Sequence, residues 1–150
     1  MKKCAVVLIF FLLTASLFAQ TAQVLEELLE TKELSNQQAA WFVLEAADIL
    51  NPNTSEIDAF EYALALGWIP DYAVPEGGVR LSWVSSLIVR SFNIKSGLFF
   101  LITKAPHYAY RELVSRGIIQ GKTEPDMLVS GDLLLFVVNR VLSYREANQL

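Results

Sequence analysis

The sequence predicts an all-α fold, and three observations carry that prediction. Apolar residues recur at helical spacing in segment after segment beyond residue 20. Helix-opening Ser and helix-closing Gly or Asn-Pro punctuate those segments. No stretch has the strict alternation and tight turn of a hairpin. Composition fits a packed domain, with 53% hydrophobic and 19% charged residues and no low-complexity run.

The first nineteen residues read as a secretory signal rather than as part of the fold. Lys2 and Lys3 form a basic start, Ala5 to Leu13 is unbroken apolar sequence, and Leu17-Phe18-Ala19 ends in a small residue before Gln20. That order predicts cleavage after Ala19. A retained anchor needs about 20 consecutive apolar residues, and Thr14 and Ser16 interrupt this run before the polar Gln20-Thr21. Cys4 precedes the apolar run, whereas a lipoprotein cysteine follows it. The expected mature chain, residues 20–150, is one domain without cysteine, so it has neither a disulfide framework nor a thiolate nucleophile or ligand. Without Lys2 and Lys3, ten basic residues face sixteen acidic ones, a net charge of −6. That balance argues against nucleic acid and anionic lipid surfaces as partners.

The helices follow in order. Ala22 to Glu33 carries Val24, Leu25, Leu28 and Leu29 at helical spacing. Ser35-x-x-Gln38 is a capping box that opens a second helix through Trp41, Phe42, Leu44 and Ile49, stopped by Asn51-Pro52. Thr54 or Ser55 opens a third, Ser55-x-x-Asp58 being a candidate capping box, with Ile57, Phe60, Ala63 and Leu64 on one face and Gly67 at its end. Trp68 to Arg80 holds Pro70, Pro75 and Gly77-Gly78 and is read as a loop. Ser82 is the expected cap of the next helix, through Trp83, Leu87, Ile88 and Phe92. Leu98 to Thr103 reads as a short apolar helix. Pro106 suits the first turn of another, with Tyr110, Leu113 and Val114 inward and Gly117 closing it. After a loop over Gln120 to Leu128, Ser130 opens a last helix through Leu134, Val137, Val138, Val141 and Leu142.

These elements repeat. Leu34-Ser35, Leu81-Ser82 and Val129-Ser130 lie 47 and 48 residues apart, each an apolar residue before a capping Ser. Seven and twelve residues after each Ser stand Phe42 and Ala47, Val89 and Ile94, Val137 and Leu142, all apolar. The preceding helices end alike, in Leu66-Gly67-Trp68-Ile69 and Arg116-Gly117-Ile118-Ile119.

From Tyr110 to Leu142 the order is a helix, Gly117-Ile118-Ile119-Gln120-Gly121, Glu124-Pro125-Asp126, Val129-Ser130 and a capped helix ending Asn139-Arg140-Val141-Leu142. This pattern resembles the S-layer homology domain, a bacterial cell-surface module of helical repeats; Gly67 to Ile94 and the stretch from Leu34 match more loosely. The resemblance implies a compact helical-repeat bundle in the cell envelope that binds wall glycan or an envelope protein. The family's helix opens with Thr-Arg-Ala-Glu, whose Arg is associated with anionic wall polysaccharide. Here the runs are Ser35-Asn36-Gln37-Gln38, Ser82-Trp83-Val84-Ser85 and Ser130-Gly131-Asp132-Leu133. The hydroxyl is kept and the Arg is not, while Asp132 suits a helix N-terminus but repels an anionic polymer. A scaffold that kept the repeats and lost polymer binding is the alternative.

Chemistry-bearing residues are sparse. His107 is the sole histidine, without a cysteine or a second histidine to join, and reads as exposed or capping. No ligands stand at metal spacing, and no cofactor is implied. Glu26, Glu27, Glu30 and Glu33 read as a solvated helix face; no glycosidase-like carboxylate pair is singled out. Gly77-Gly78 lacks the Lys-Ser/Thr of a phosphate loop. The candidate ligand-binding residues are Trp68, Tyr72, Arg80, Trp83, Arg116 and Gln120, a mixture of aromatic faces and polar groups suited to sugar rings or peptide. The alternative for Trp68 and Trp83 is packing between repeats. The expected protein is therefore a non-catalytic binding module.

Overall fold

In the computed structural model, Ser35 does what its position predicts. Its hydroxyl accepts from the Gln38 N–H at 3.2 Å while the Gln38 side chain accepts from the Ser35 N–H at 3.0 Å. The structure describes residues 25–51 and 53–148, so the expected signal peptide lies outside the described residues. Helices cover α1 (25–30), α2 (Asn36–Ala46), α3 (Glu56–Ala65), α4 (Leu81–Ser91), α5 (Leu98–Thr103), α6 (Pro106–Ser115) and α7 (Gly131–Asn148). Among the described residues the fold is all-α, with no strand beyond two isolated antiparallel bridges, Ser35 with Gly78 and Arg80 with Leu128.

Helix ends follow from local chemistry. Asp48, Gly67, Asn93 and Gly117 are left-handed, with φ of 58°, 64°, 50° and 68°. Each is followed by a residue whose N–H reaches back to the carbonyl five earlier: Ile49 to Leu44, Trp68 to Ala63, Ile94 to Val89 and Ile118 to Leu113. These closures satisfy terminal carbonyls and turn an apolar side chain back toward the helix just ended. Gly removes the Cβ penalty at Gly67 and Gly117.

Helix α4 starts earlier than the sequence predicts. Its N-cap is Arg80, which makes no side-chain capping bond, and Ser82 lies buried inside the first turn. The reason is tertiary. The N–H groups of Leu81 and Ser82 donate to the Met127 and Pro125 carbonyls at 2.9 and 2.8 Å, so a loop carries out the capping. Helix α2 is served alike, Asn36 and Gln37 donating to Gly77 and Pro75 at 2.8 and 3.0 Å.

α4 packs most extensively on α6 and α2 on α3, with α2 against α4 and α7 touching both. Ala39, Ala40, Ala59 and Ala63 are fully buried and let α2 and α3 approach closely. Phe60, Ile88, Leu113, Leu134 and Val138 fill the rest of one continuous core. Ile57 and Val114, expected on inward faces, are exposed, and of α1 only Leu28 is buried.

At one end of the core three distant segments close a ring of backbone hydrogen bonds. Leu34 donates to Val129 at 2.9 Å, Val129 to Val79 at 3.1 Å, and Val79 back to Leu34 at 2.9 Å. Their side chains are buried. Two of the incoming loops turn on Pro, at Val74-Pro75-Glu76-Gly77 and Glu124-Pro125-Asp126-Met127, where the last N–H returns to the first carbonyl at 3.1 and 3.3 Å.

Candidate functional site

The turn after α3 and the first turn of α4 bring three of the expected binding residues together. Pro70 fixes the chain ahead of Tyr72, and its carbonyl accepts from the Ala73 N–H at 3.0 Å. Tyr72 is thereby held out, 74% exposed, with its ring edge-to-face on Trp83 at 5.8 Å and 73°. Trp83 is half-buried and packs against the core, so it is a fixed wall and Tyr72 an accessible one. Three residues before Trp83, Arg80 reaches Asp126, its Nη1 3.5 Å from the carboxylate and 3.4 Å from the carbonyl. That pair stands in solvent and contributes little to stability, which leaves its charges available to a ligand.

The other expected residues lie apart. Trp68 is half-buried and edge-to-face on Tyr62 at 6.2 Å. Gln120 is exposed beyond Gly117. Arg116 caps the far end of α6, where it lines a cleft with Phe92, Asn93 and Lys95 at the close of α4. Arg80 caps the beginning of α4; an 11-residue helix separates them, about 16 Å along its axis. The two arginines therefore do not share one groove. Arg116 is also engaged: it donates to Glu112 Oε1 at 2.7 Å, to the Tyr144 hydroxyl and to the Lys95 carbonyl. Burial opposes its charge, but the bonds to Glu112 and Tyr144 outweigh burial and raise its pKa.

Sequence reasoning passed over a cleft of about 330 Å³ between α1, α2 and the start of α3. Trp41 and Phe42 line it, the Trp41 indole donating to the Thr54 carbonyl at 3.0 Å. Glu27 and Glu56 stand on its rim, and Glu56 is raised above the ordinary carboxylate value by burial and then by the Glu27 charge. Glu27 reads as a solvated residue from its own helix; only the fold puts Glu56 near it. At the start of α7, Asp132 is held below the usual carboxylate value chiefly by the Ser130 hydroxyl. His107 is exposed beside Tyr108, and no cluster of three or more His, Cys, Asp or Glu groups able to hold a metal occurs among the described residues.

Among protein-family models, curated proteins and solved structures, none matches this chain.

Proposed function

We propose that the protein is a non-catalytic, exported module of the bacterial cell envelope, built on S-layer-homology-like helical repeats, and that its Tyr72–Trp83–Arg80 face binds wall glycan. The observation that carries the ligand is the aromatic corner itself: an exposed phenol ring held against a half-buried indole, with the exposed Arg80–Asp126 pair at the helix cap three residues before that indole. Sugar rings offer C–H faces to aromatic rings and hydroxyls to such charged groups, and this corner offers both.

The hydrogen-bonded ring supports the repeat reading and changes its register. If Leu34, Val79 and Val129 are equivalent, the matching helix starts are Ser35, Arg80 and Ser130, not Ser35, Ser82 and Ser130. Four residues on from these stand Ala39, Val84 and Leu134, and eight on stand Val43, Ile88 and Val138; all six are buried. In this register the central repeat has an Arg at its cap position, where its two companions keep the hydroxyl.

The test is co-sedimentation of residues 20–150 with purified wall sacculi at low salt. The wild-type protein pellets, a Tyr72→Ala/Arg80→Ala variant binds about tenfold more weakly, equivalent to ~1.4 kcal/mol, and Arg116→Ala variants that remain folded pellet like wild type. Wild-type protein left wholly in the supernatant refutes glycan binding. The alternative, a protein-interaction scaffold that has lost polymer binding, draws on Arg116, whose donors are already taken up internally.

A further inference from the structure

We propose that α5 is a membrane-docking element, seating its apolar face in the interface of an anionic phospholipid bilayer. The six residues of α5 read Leu98-Phe99-Phe100-Leu101-Ile102-Thr103. Phe100 alone is buried, whereas Leu98, Phe99, Leu101 and Ile102 are 68%, 69%, 51% and 71% exposed. Four adjacent large apolar side chains facing water form the kind of patch that marks an interaction surface.

The helix is held in this pose by its own contacts. Phe100 is anchored beneath Arg90, whose guanidinium lies 5.2 Å from the ring centroid. Arg90 also donates to the Lys104 carbonyl at 3.3 Å, and Lys104 closes the helix in the left-handed conformation. The Thr103 hydroxyl donates to the Phe99 carbonyl at 2.7 Å, and Phe99 stacks on Tyr108 at 5.6 Å.

The surroundings define the chemistry of the occupant. A cleft of about 430 Å³ beside α5 is lined by Arg90, Lys95 and Lys104 together with Phe100 and Leu101, and no carboxylate enters it. On the other flank Arg111 lines a cleft with Phe99; the Glu112 there is committed to the Gly97 N–H and to Arg116. None of Arg90, Lys95, Lys104 or Arg111 forms an ion pair among the described residues. Burial lowers the Arg90 pKa with no compensating carboxylate, so this cation lacks the anion that would offset its desolvation.

Charge is also segregated along the chain. Residues 90–116 hold five basic side chains and one acidic, whereas the rest of the chain from Gln20 holds five basic and fifteen acidic. An anionic surface attracts the α5 lobe and repels the remainder, which fixes orientation as well as contact. A second copy of the chain fits less well, because joining two α5 faces would bring two basic lobes together. No described helix is long and apolar enough to cross a membrane, so the element lies in the interface.

Every buried residue described falls between Leu28 and Val141, so a chain beginning at Gln20 keeps all of them and removes the apolar run of residues 5–13 from the assay. That protein is mixed with vesicles of phosphatidylcholine alone or with phosphatidylglycerol added, and partitioning is read by flotation. Binding is expected to phosphatidylglycerol vesicles and to be at least about tenfold weaker to neutral ones. Phe99→Asp/Ile102→Asp, both on exposed positions, should abolish it. Lys95→Gln/Lys104→Gln should weaken it by about 25-fold, at about fivefold per cation near an anionic surface. Tyr72→Ala should leave it unchanged, which separates this surface from the glycan face. Circular dichroism melts verify that each variant is folded. Three results would overturn the proposal: no binding to anionic vesicles, equal binding to neutral ones, or binding retained in the folded Asp variant. Self-association of wild type that Phe99→Asp/Ile102→Asp removes, without vesicle binding, would assign the face to a second copy instead.

Discussion

A Cβ added to Gly131 would overlap the Leu28 carbonyl oxygen, with the carbonyl carbon at 2.5 Å and the Leu28 Cγ at 3.2 Å. The Gly131 N–H meanwhile donates to the Thr31 carbonyl at 2.9 Å. Absence of a side chain thus lets the end of α1 lie directly on the start of α7. Backbone cannot yield as a flexible side chain can, so Gly131→Ala should lose at least ~3 kcal/mol, the upper end for overpacking. Gly67→Ala is the contrast. It has open space around it and φ of +64°, so it pays only left-handed strain, about 1 kcal/mol. Urea denaturation of both variants measures the difference; equal losses would mean that the contact between Leu28 and Gly131 is not tight. Gly67 and Gly117 are legible in the sequence as helix terminators because their job is local. Gly131 is not, because its neighbour is supplied by a segment far back in the chain.

At the scale of elements, the two serines read as caps should separate sharply. Ser35→Ala removes the hydroxyl half of a formed capping box, leaving the Gln38 N–H without its acceptor, and should cost about 1 kcal/mol. Ser82 caps nothing, and its N–H already reaches Pro125, so Ser82→Ala should leave the α4 N-terminus intact. Urea denaturation of Ser35→Ala checks the first and backbone amide shifts of Leu81 to Val84 in Ser82→Ala the second; loss of helical shifts there would restore Ser82 as the cap. The helices themselves were legible because apolar spacing and terminators are written locally. The α4 boundary was misplaced because a loop from another part of the chain does what a hydroxyl does elsewhere. The exposure of Ile57 and Val114 has the same origin: a periodic stripe names a face, but only packing decides how wide a face is covered. The site residues divide along this line. Tyr72 and Trp83 meet across the turn that leads into α4, with Arg80 at its cap, whereas Arg116 lies at the other end of α4.

For the whole molecule, net charge hides its own distribution: an overall −4 contains residues 90–116, with five basic side chains and one acidic. Net charge sums over the chain, while a partner meets one face. The ring of Leu34, Val79 and Val129 is likewise a property of the whole, invisible in any single segment. Each of these N–H groups donates to a different segment; none can be freed by fraying a helix end, because opening any one bond parts two segments at a buried junction. The three amides should therefore exchange with solvent deuterium only through global unfolding, with equal free energies and a denaturant dependence equal to the equilibrium m-value. Amides of α5 should exchange far faster, since that helix has one buried anchor, Phe100. Native-state hydrogen exchange at increasing urea distinguishes the cases. If Leu34 exchanged much faster than Val79 and Val129, with a small urea dependence, the segment after α1 would be a separable arm. The equivalence of three chain segments about that ring, on which the repeat reading leans, would then fail with it.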